Sequence, residues 1–208
     1  MENLKRALFS AHHHLAHVPR VERVARSLAA QIGQAASLLD IGCGDGTVAR
    51  DIASRVGAGR VAGVDIKVRP KVAIDVTAYD GLHLPFPDGA FDAVVISDVL
   101  HHCHDPRAVL REALRVATRV VAIKDHFRLG PISEKILLWM DLVGNAGPAV
   151  EVRGTYFSPR EWAEMVAGAG GRFTGIEWPL RIHDPPFRWV TQDRVQFAAR
   201  VEHARGRA

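Results

Sequence analysis

Apolar positions recur along this chain at two periods, and the switching between them limits the fold before any motif is considered. Val21, Val24, Ala25, Leu28 and Ile32 keep the spacing of a helix buried on one face, with Pro19 suited to its first turn. Ser37 to Ile41 reads as a short buried strand that runs into Gly42-Cys43-Gly44-Asp45-Gly46 and then a helix over 47–55. Arg60 to Asp65 predicts a second strand ending on an acid, and a weaker third falls over 72–76. After the turn-rich Pro85, Pro87, Asp88, Gly89, a strong fourth strand is predicted over 91–97, continuously apolar at Ala93-Val94-Val95-Ile96. Asp105-Pro106 opens a helix as N-cap and first helical residue. A fifth strand follows over 120–123, a helix over 132–143, and another behind the capping box Ser158-Pro159-Arg160-Glu161. Strands over 173–182 and 195–201 close the chain.

Strands alternating with helices predict an α/β fold with a mainly parallel sheet covered on both faces. The final pair, joined by a Pro-rich turn, predicts an antiparallel edge. The 208 residues contain neither an internal repeat nor a low-complexity linker, so one domain is expected over 1–208.

Composition narrows the function classes. Net charge is +4, and the 27 Lys and Arg are dispersed rather than gathered in a stripe, so a nucleic-acid partner is not expected. Cys43 and Cys103 are the only cysteines and form no framework, which fits a reducing cytoplasm. The first residues lack the apolar segment of a secretory signal, and no apolar run is long enough to span a membrane. His12, His13, His14 and His17 read as a partly solvated helix face.

The candidate chemistry begins at Gly42-Cys43-Gly44-Asp45-Gly46. Glycines between a strand and a helix permit a tight turn and close approach of a ligand. The amides of the following helix start favour electronegative ligand groups. Asp40 stands where a carboxylate orients the loop or meets a cationic amino group. Asp65, 19 residues after Gly46 at the end of the second strand, is placed to accept hydrogen bonds from both hydroxyls of a ribose. A dinucleotide fingerprint needs G-x-G-x-x-G; here the spacing is G-x-G-x-G with Thr47 following. An acid in the loop also suits a sulfonium amino acid better than a doubly charged pyrophosphate.

With these residues in place the chain resembles a class I S-adenosylmethionine-dependent methyltransferase, close to the type 11 group that includes quinone-biosynthesis methyltransferases. The resemblance covers about residues 36–125. It implies a Rossmann-like seven-stranded sheet whose last strand is antiparallel, with S-adenosylmethionine as cofactor and S-adenosylhomocysteine as product. Leu39 to Gly46 match the family's first motif, and Asp65 with its neighbour Ile66 matches the ribose-binding position. Asp80 matches the acid that meets the adenine amino group, with Gly81 and Leu82 along the base. Ser97, Asp98, His101 and His102 match the segment flanking the methionine part. The domain then divides into an N-terminal helical lid over 1–35, a cofactor-binding half over 36–125, and a substrate-cap insert with closing strands over 126–208.

Three further signals are weighed. His101-His102-Cys103-His104-Asp105 is dense in metal-ligand types, but adjacent residues point in different directions, and no metal is expected there. Asp184-Pro185-Pro186-Phe187 resembles the D-P-P-F/Y motif of DNA amino-methyltransferases, yet lies between the last two strands and reads as a stiff turn. Lys124-Asp125-His126 is read as three polar residues immediately after strand five, at the presumed rim of the site. His126 or Asp125 is there the candidate general base or acceptor-orienting group. The insert holding Leu138-Trp139-Met140 and Tyr156-Phe157 is the candidate cap. The expected reaction is direct transfer of the sulfonium methyl to an O, N or C nucleophile of a small molecule. An RNA or protein methyltransferase and a non-catalytic adenosyl-binding module are the alternatives. Oligomeric state is left open.

Overall fold

A computed structural model of the chain describes residues 18–144, 153–183 and 193–204. The histidines at 12–14 and 17, the Asp184-Pro185-Pro186-Phe187 segment and the tail from 205 lie outside the described residues. The elements are α1 (Val18–Ile32), β1 (Ser37–Ile41), α2 (Thr47–Val56), β2 (Arg60–Asp65), β3 (Asp75–Ala78) and β4 (Phe91–Ser97). After a 3-10 turn at Leu100–His102 come α3 (Pro106–Val116), β5 (Ala117–His126), α4 (Pro131–Gly144), α5 (Pro159–Gly168), β6 (Gly171–Glu177) and β7 (Gln196–His203).

The strands form one seven-stranded sheet in the order β3-β2-β1-β4-β5-β7-β6. Strands β1 to β5 pair in parallel, whereas β7 runs antiparallel to both β5 and β6. This is the Rossmann-like arrangement with an inserted antiparallel last strand. Because successive strand residues face opposite sides, the apolar strands serve two cores at once. Val94, Ile96, Val121 and Ile123 pack with Leu110, Leu114, Trp162 and Val166 of α3 and α5. Ala93, Val95, Val120 and Ala122 pack with Leu28, Ile32, Ile52 and Val56 of α1 and α2.

Several boundaries differ from the sequence reading, each for a physical reason. Strand β3 starts at Asp75 rather than 72. Residues before it fold over the glycine loop: the Ala73 amide donates to the Asp45 carbonyl at 2.7 Å, and Ile74 covers Gly46. Strand β6 ends at Glu177; Leu180 and Ile182 look like its continuation because they are buried, but they pack into the α1/α2 core outside the sheet. The end of β1 to Asp65, the span of β4 and the Asp105 cap fall where the pattern puts them, and the Ser158–Glu161 capping box is formed in both directions.

Two corrections bear on the site. Val24, Ala25, Leu28 and Ile32 are fully buried, so residues 18–32 are a core helix on the sheet face rather than a lid. Strand β5 is ten residues long and includes Lys124, Asp125 and His126, which pair with Ala198, Phe197 and Gln196 of β7. These three are therefore the buried end of strand five itself and not residues that follow it.

Candidate active site

Every residue singled out for the cofactor falls at the carboxyl ends of the parallel strands, where open α/β sheets bind their ligands. The loop after β1 carries three left-handed glycines, Gly42, Gly44 and Gly46. At Gly46 (φ 75°) a Cβ would stand 2.4 Å from Ile74 Cγ1, and at Gly42 (φ 70°) 2.5 Å from Val99 Cγ2. A side chain at either position is excluded by backbone angle and by space together.

The loop differs from the sequence expectation in where its amides go. Gly42 and Cys43 both donate to the Val64 carbonyl, at 2.8 and 3.2 Å. Gly44 donates to Asp65 Oδ2 at 2.8 Å, Gly46 to the Cys43 carbonyl, and Thr47 to Asp45 Oδ1. The amides of the loop itself, from Gly42 to Gly46, are thus largely taken up by the chain, while no side chain caps Gly46 at the start of α2. The loop is a contoured wall, which fits an uncharged ribose or a cationic amino acid and gives a pyrophosphate little to hold.

Asp65 is tied to that wall. Its Oδ2 takes the Gly44 amide and its Oδ1 the Lys67 amide at 3.0 Å. An ionised carboxylate has about four acceptor positions, so two remain for a pair of ribose hydroxyls. Ile66 beside it is 70% exposed, an unusual state for so large an apolar side chain next to a cleft. Gly81, left-handed at φ 84°, lies against Ile66, since a Cβ there would meet Ile66 Cγ2 at 3.3 Å. Asp80 is fixed by the amides of Leu82 and His83, at 2.8 and 2.6 Å, and by His83 Nδ1 at 2.7 Å. These bonds hold its carboxyl at about 2, below its ordinary value. Asp40 is buried in β1, and no cation stands within ion-pair distance of it among the described residues. Burial, with the nearby Asp65 charge adding, pushes its carboxyl up to about 8. An ammonium group placed by a ligand would supply the missing counter-charge. On these grounds the residues of β1, β2 and β3 fit S-adenosylmethionine.

The ends of β4 and β5 are organised differently. Asp98 has a left-handed backbone (φ 57°), unusual for a residue with a side chain, and its amide donates to the Lys124 carbonyl. Its carboxylate accepts from Lys124 Nζ at 2.5 Å and from Arg20 of α1 at 2.9 Å. Burial works against the charge, yet Lys124, with His126 and Arg20 adding, holds Asp98 well below the usual carboxylate range. Asp98 therefore faces the strand-five cations. Ser97 pairs in register with Lys124 at the strand end.

On the opposite face, Asp125 Oδ1 accepts from His101 Nδ1 at 2.6 Å and from the His126 amide at 2.8 Å. Burial alone would lower His101; Asp125 and Asp141 overcome it and push the imidazole up to about 10. His126 moves the other way, lowered by burial and by Lys124. Its Nδ1 lies 3.3 Å from Asp125 Oδ1 and 3.7 Å from Asp98 Oδ1 without a hydrogen bond. Trp162 of α5 donates to the His126 carbonyl at 3.0 Å and fixes that strand end from below. From α4, Asp141 reaches His101 Nε2 at 3.5 Å and accepts from the Tyr156 hydroxyl at 2.5 Å.

The sequence reading assigned Asp125 and His126 to catalysis and His101 and His102 to the methionine part of the cofactor; the structure brings all four together. The sequence reading missed Asp141 and Arg20, and it read Lys124 only as part of a polar run. The available signal for Asp141 is a single acid inside the apolar Leu137-Leu138-Trp139-Met140-Asp141-Leu142 stretch.

Residues 39–119 match the family profile described as Methyltransferase domain. A demethylmenaquinone methyltransferase of Thermobifida fusca is 38% identical over 94 residues, covering 43% of this chain and 37% of that protein. Norajmaline N-methyltransferase of Rauvolfia serpentina is 29% identical over 119 residues, covering 48% and 40%. The matches thus span well under half the length of these relatives. The putative methyltransferase crystallised with the Haloferax volcanii Trm112 activator superposes with a TM-score of 0.67 at 15% identity, over 88% of this chain and 90% of that one, a likeness of fold. No described helix is long and apolar enough to cross a membrane. Residues 39–119 are thus similar to the type 11 methyltransferase domain family, and the chain as a whole has the fold of the solved methyltransferases it superposes on.

Proposed function

We propose that the chain binds S-adenosylmethionine across the ends of β1, β2 and β3 and methylates a small molecule held against β4, β5 and α4. The observation that carries this reading is Asp65, fixed by two backbone amides with acceptor capacity left for a diol. The relatives named for a quinone and an alkaloid acceptor favour a small molecule over RNA or protein. S-adenosylmethionine supplies a methyl carbon made electrophilic by its sulfonium.

The chain's own residues then orient and exclude. Asp65 and Asp80 fix the adenosine end, Ile66 and Gly81 flank the base, and Asp40 meets the amino group. Alignment of acceptor and methyl carbon contributes about 7–11 kcal/mol to lowering such a barrier. With the cofactor bound, the acceptor's lone pair would form the new bond to carbon while the carbon–sulfur pair left with sulfur. Where the acceptor must lose a proton, His126 takes it. Burial favours its neutral form, and its Nδ1 has no hydrogen-bond partner. Asp125 is a positioning residue for His126 and His101.

Thermal unfolding with S-adenosylhomocysteine and with NAD, for the natural chain and Asp65→Ala, tests this reading. Ligand at about 100 times its Kd stabilises by about 2.7 kcal/mol, a rise of roughly 5–10 °C at this size. The rise is expected with the adenosyl ligand alone and is expected to shrink in Asp65→Ala. A larger rise with NAD overturns the reading.

A further inference from the structure

We propose that His101 Nε2, His102 Nδ1 and Asp141 Oδ2 form a three-ligand site for a divalent first-row transition-metal cation on the acceptor side of the cleft. Its placement beside the reacting methyl rests on the methyl-transfer reading; the site itself does not.

The three ligands come from segments far apart in sequence, the turn after β4 and the middle of α4. One ligand atom from each residue lies within 4.8 Å of the other two, and His101 Nε2 stands 3.5 Å from Asp141 Oδ2. Atoms 4.8 Å apart in a triangle stand about 2.8 Å from its centre, so shifts under an ångström bring them to the ~2.1 Å that an imidazole–metal bond requires. The reason the residues of this turn were set aside from sequence, that adjacent histidines point apart, is removed here. The two rings lie with centroids 4.1 Å apart and an interplanar angle of 47°, and α4 supplies the third donor.

Two of the three donors are orphaned. His101 Nε2 and His102 Nδ1 are buried nitrogens with no hydrogen-bond partner, an unfavourable state for a polar atom away from water. One cation satisfies both. His101 is 2% exposed and is already oriented as a ligand. Its Nδ1 donates to Asp125 at 2.6 Å, which leaves Nε2 as the atom a cation would take, in exchange for the proton that Asp125 and Asp141 favour on the ring. The Tyr156 hydroxyl steadies Asp141 in the same way. A second grouping, His101 with Asp125 and His126, is as dense, but there Asp125 Oδ1 and His101 Nδ1 are spent on each other.

Two imidazoles and one carboxylate suit Fe²⁺, Co²⁺, Ni²⁺ or Zn²⁺ rather than Mg²⁺ or Ca²⁺, which prefer all-oxygen sets. Three protein ligands leave a coordination position open. An acceptor hydroxyl bound there would lose its proton more easily, the proton passing to His126 or solvent and the metal keeping its oxidation state. The substrate class is thus a small molecule whose methylated oxygen can bind a cation.

The test is Co²⁺ titration of the full chain after chelator treatment, followed by visible ligand-field absorption, with Zn²⁺ as competitor and Mg²⁺ as contrast. One Co²⁺ per chain is expected, displaced by Zn²⁺ and indifferent to Mg²⁺. His102→Ala and Asp141→Asn should each weaken binding at least tenfold, and Asp125→Asn by about 10–100-fold. The combined H12A/H13A/H14A variant controls for the terminal histidines and should leave binding unchanged. Absence of saturable uptake, uptake lost with those histidines, or uptake undiminished in both ligand variants overturns the site. Urea unfolding of the same variants reports that they fold. Absence of S-adenosylhomocysteine binding by the natural chain would sink the methyl-transfer reading and leave the Co²⁺ result standing.

Discussion

The two ends of the sheet's ligand-facing rim are built on opposite principles. At β1, β2 and β3, polar side chains bind nearby backbone: Asp65 holds the glycine loop and the Lys67 amide, and Asp80 holds the amides of Leu82 and His83. At β4 and β5, polar side chains bind one another: Lys124, Asp98 and Arg20 on one face, Asp125, His101 and Asp141 on the other. The first end is a local device that needs only a short stretch of chain, and it suits a ligand whose shape never changes. The second exists only when four distant segments are packed, and it concentrates charges that water no longer stabilises. A cofactor common to many enzymes can be met by the first kind of site; an acceptor peculiar to one enzyme calls for the second.

Three substitutions and one titration press on this contrast. The largest effect is expected at His126, where replacement by Ala removes the proposed base and should slow methyl transfer by about 10²–10⁴. Adenosyl-ligand binding, which belongs to the other end, should persist. Single-turnover rates and a binding isotherm on one preparation decide this; equal damage to both would mean that the two ends are not separable.

Next in size is Lys124. It has no exposed surface, and Lys124→Met leaves Asp98 with Arg20 as its remaining strong cation. Breaking a buried pair costs about 3–5 kcal/mol, with the lower figure apt because Asp98 is partly exposed. Replacing both partners, Lys124→Met with Asp98→Leu, should recover most of that stability in urea unfolding without recovering turnover. Recovery of turnover as well would show that the charges serve folding alone.

The contrast also explains what could be read in advance. Asp40, the glycines and Asp65 were legible because their spacing is dictated by one strand, one turn and the next strand. Asp125 and His126 were legible as candidates, but their environment was misjudged: polar residues after Ile123 look like a loop until Gln196 to Ala198 are known to pair with them. Asp141 and Arg20 were missed because their meaning depends on which helices cross which strand ends, and no local pattern records that. Residues 72–74 failed for the same reason. Their apolar character serves the glycine loop rather than a strand, as Ile74 against Gly46 makes plain. That contact gives the third test: Gly46→Ala places a Cβ in a left-handed backbone against Ile74 and should cost about 1–3 kcal/mol. Ile74→Ala in the same background relieves only the steric share, so partial rescue of Tm is the expected reading.

The smallest effect isolates Asp40. Its carboxyl, ordinarily near 3.8, is raised to about 8 by burial and by Asp65. Between those values the folded chain keeps a proton that the unfolded chain has lost, so stability falls as pH rises through this window. The slope cannot exceed about 1.4 kcal/mol per pH unit. Urea unfolding of the ligand-free chain at pH 6 and pH 7 should show a loss of about that size from this residue. Asp40→Asn carries no titrating group and should be flatter by the same amount. Saturating S-adenosylhomocysteine, whose ammonium would face Asp40, should flatten the natural chain's slope as well, because the carboxylate then gains a counter-charge and ionises at lower pH. Identical slopes for Asp40→Asn and the natural chain would remove Asp40 from the amino-group role. The ribose end at Asp65 would stand unaffected, because its hydrogen bonds do not pass through β1.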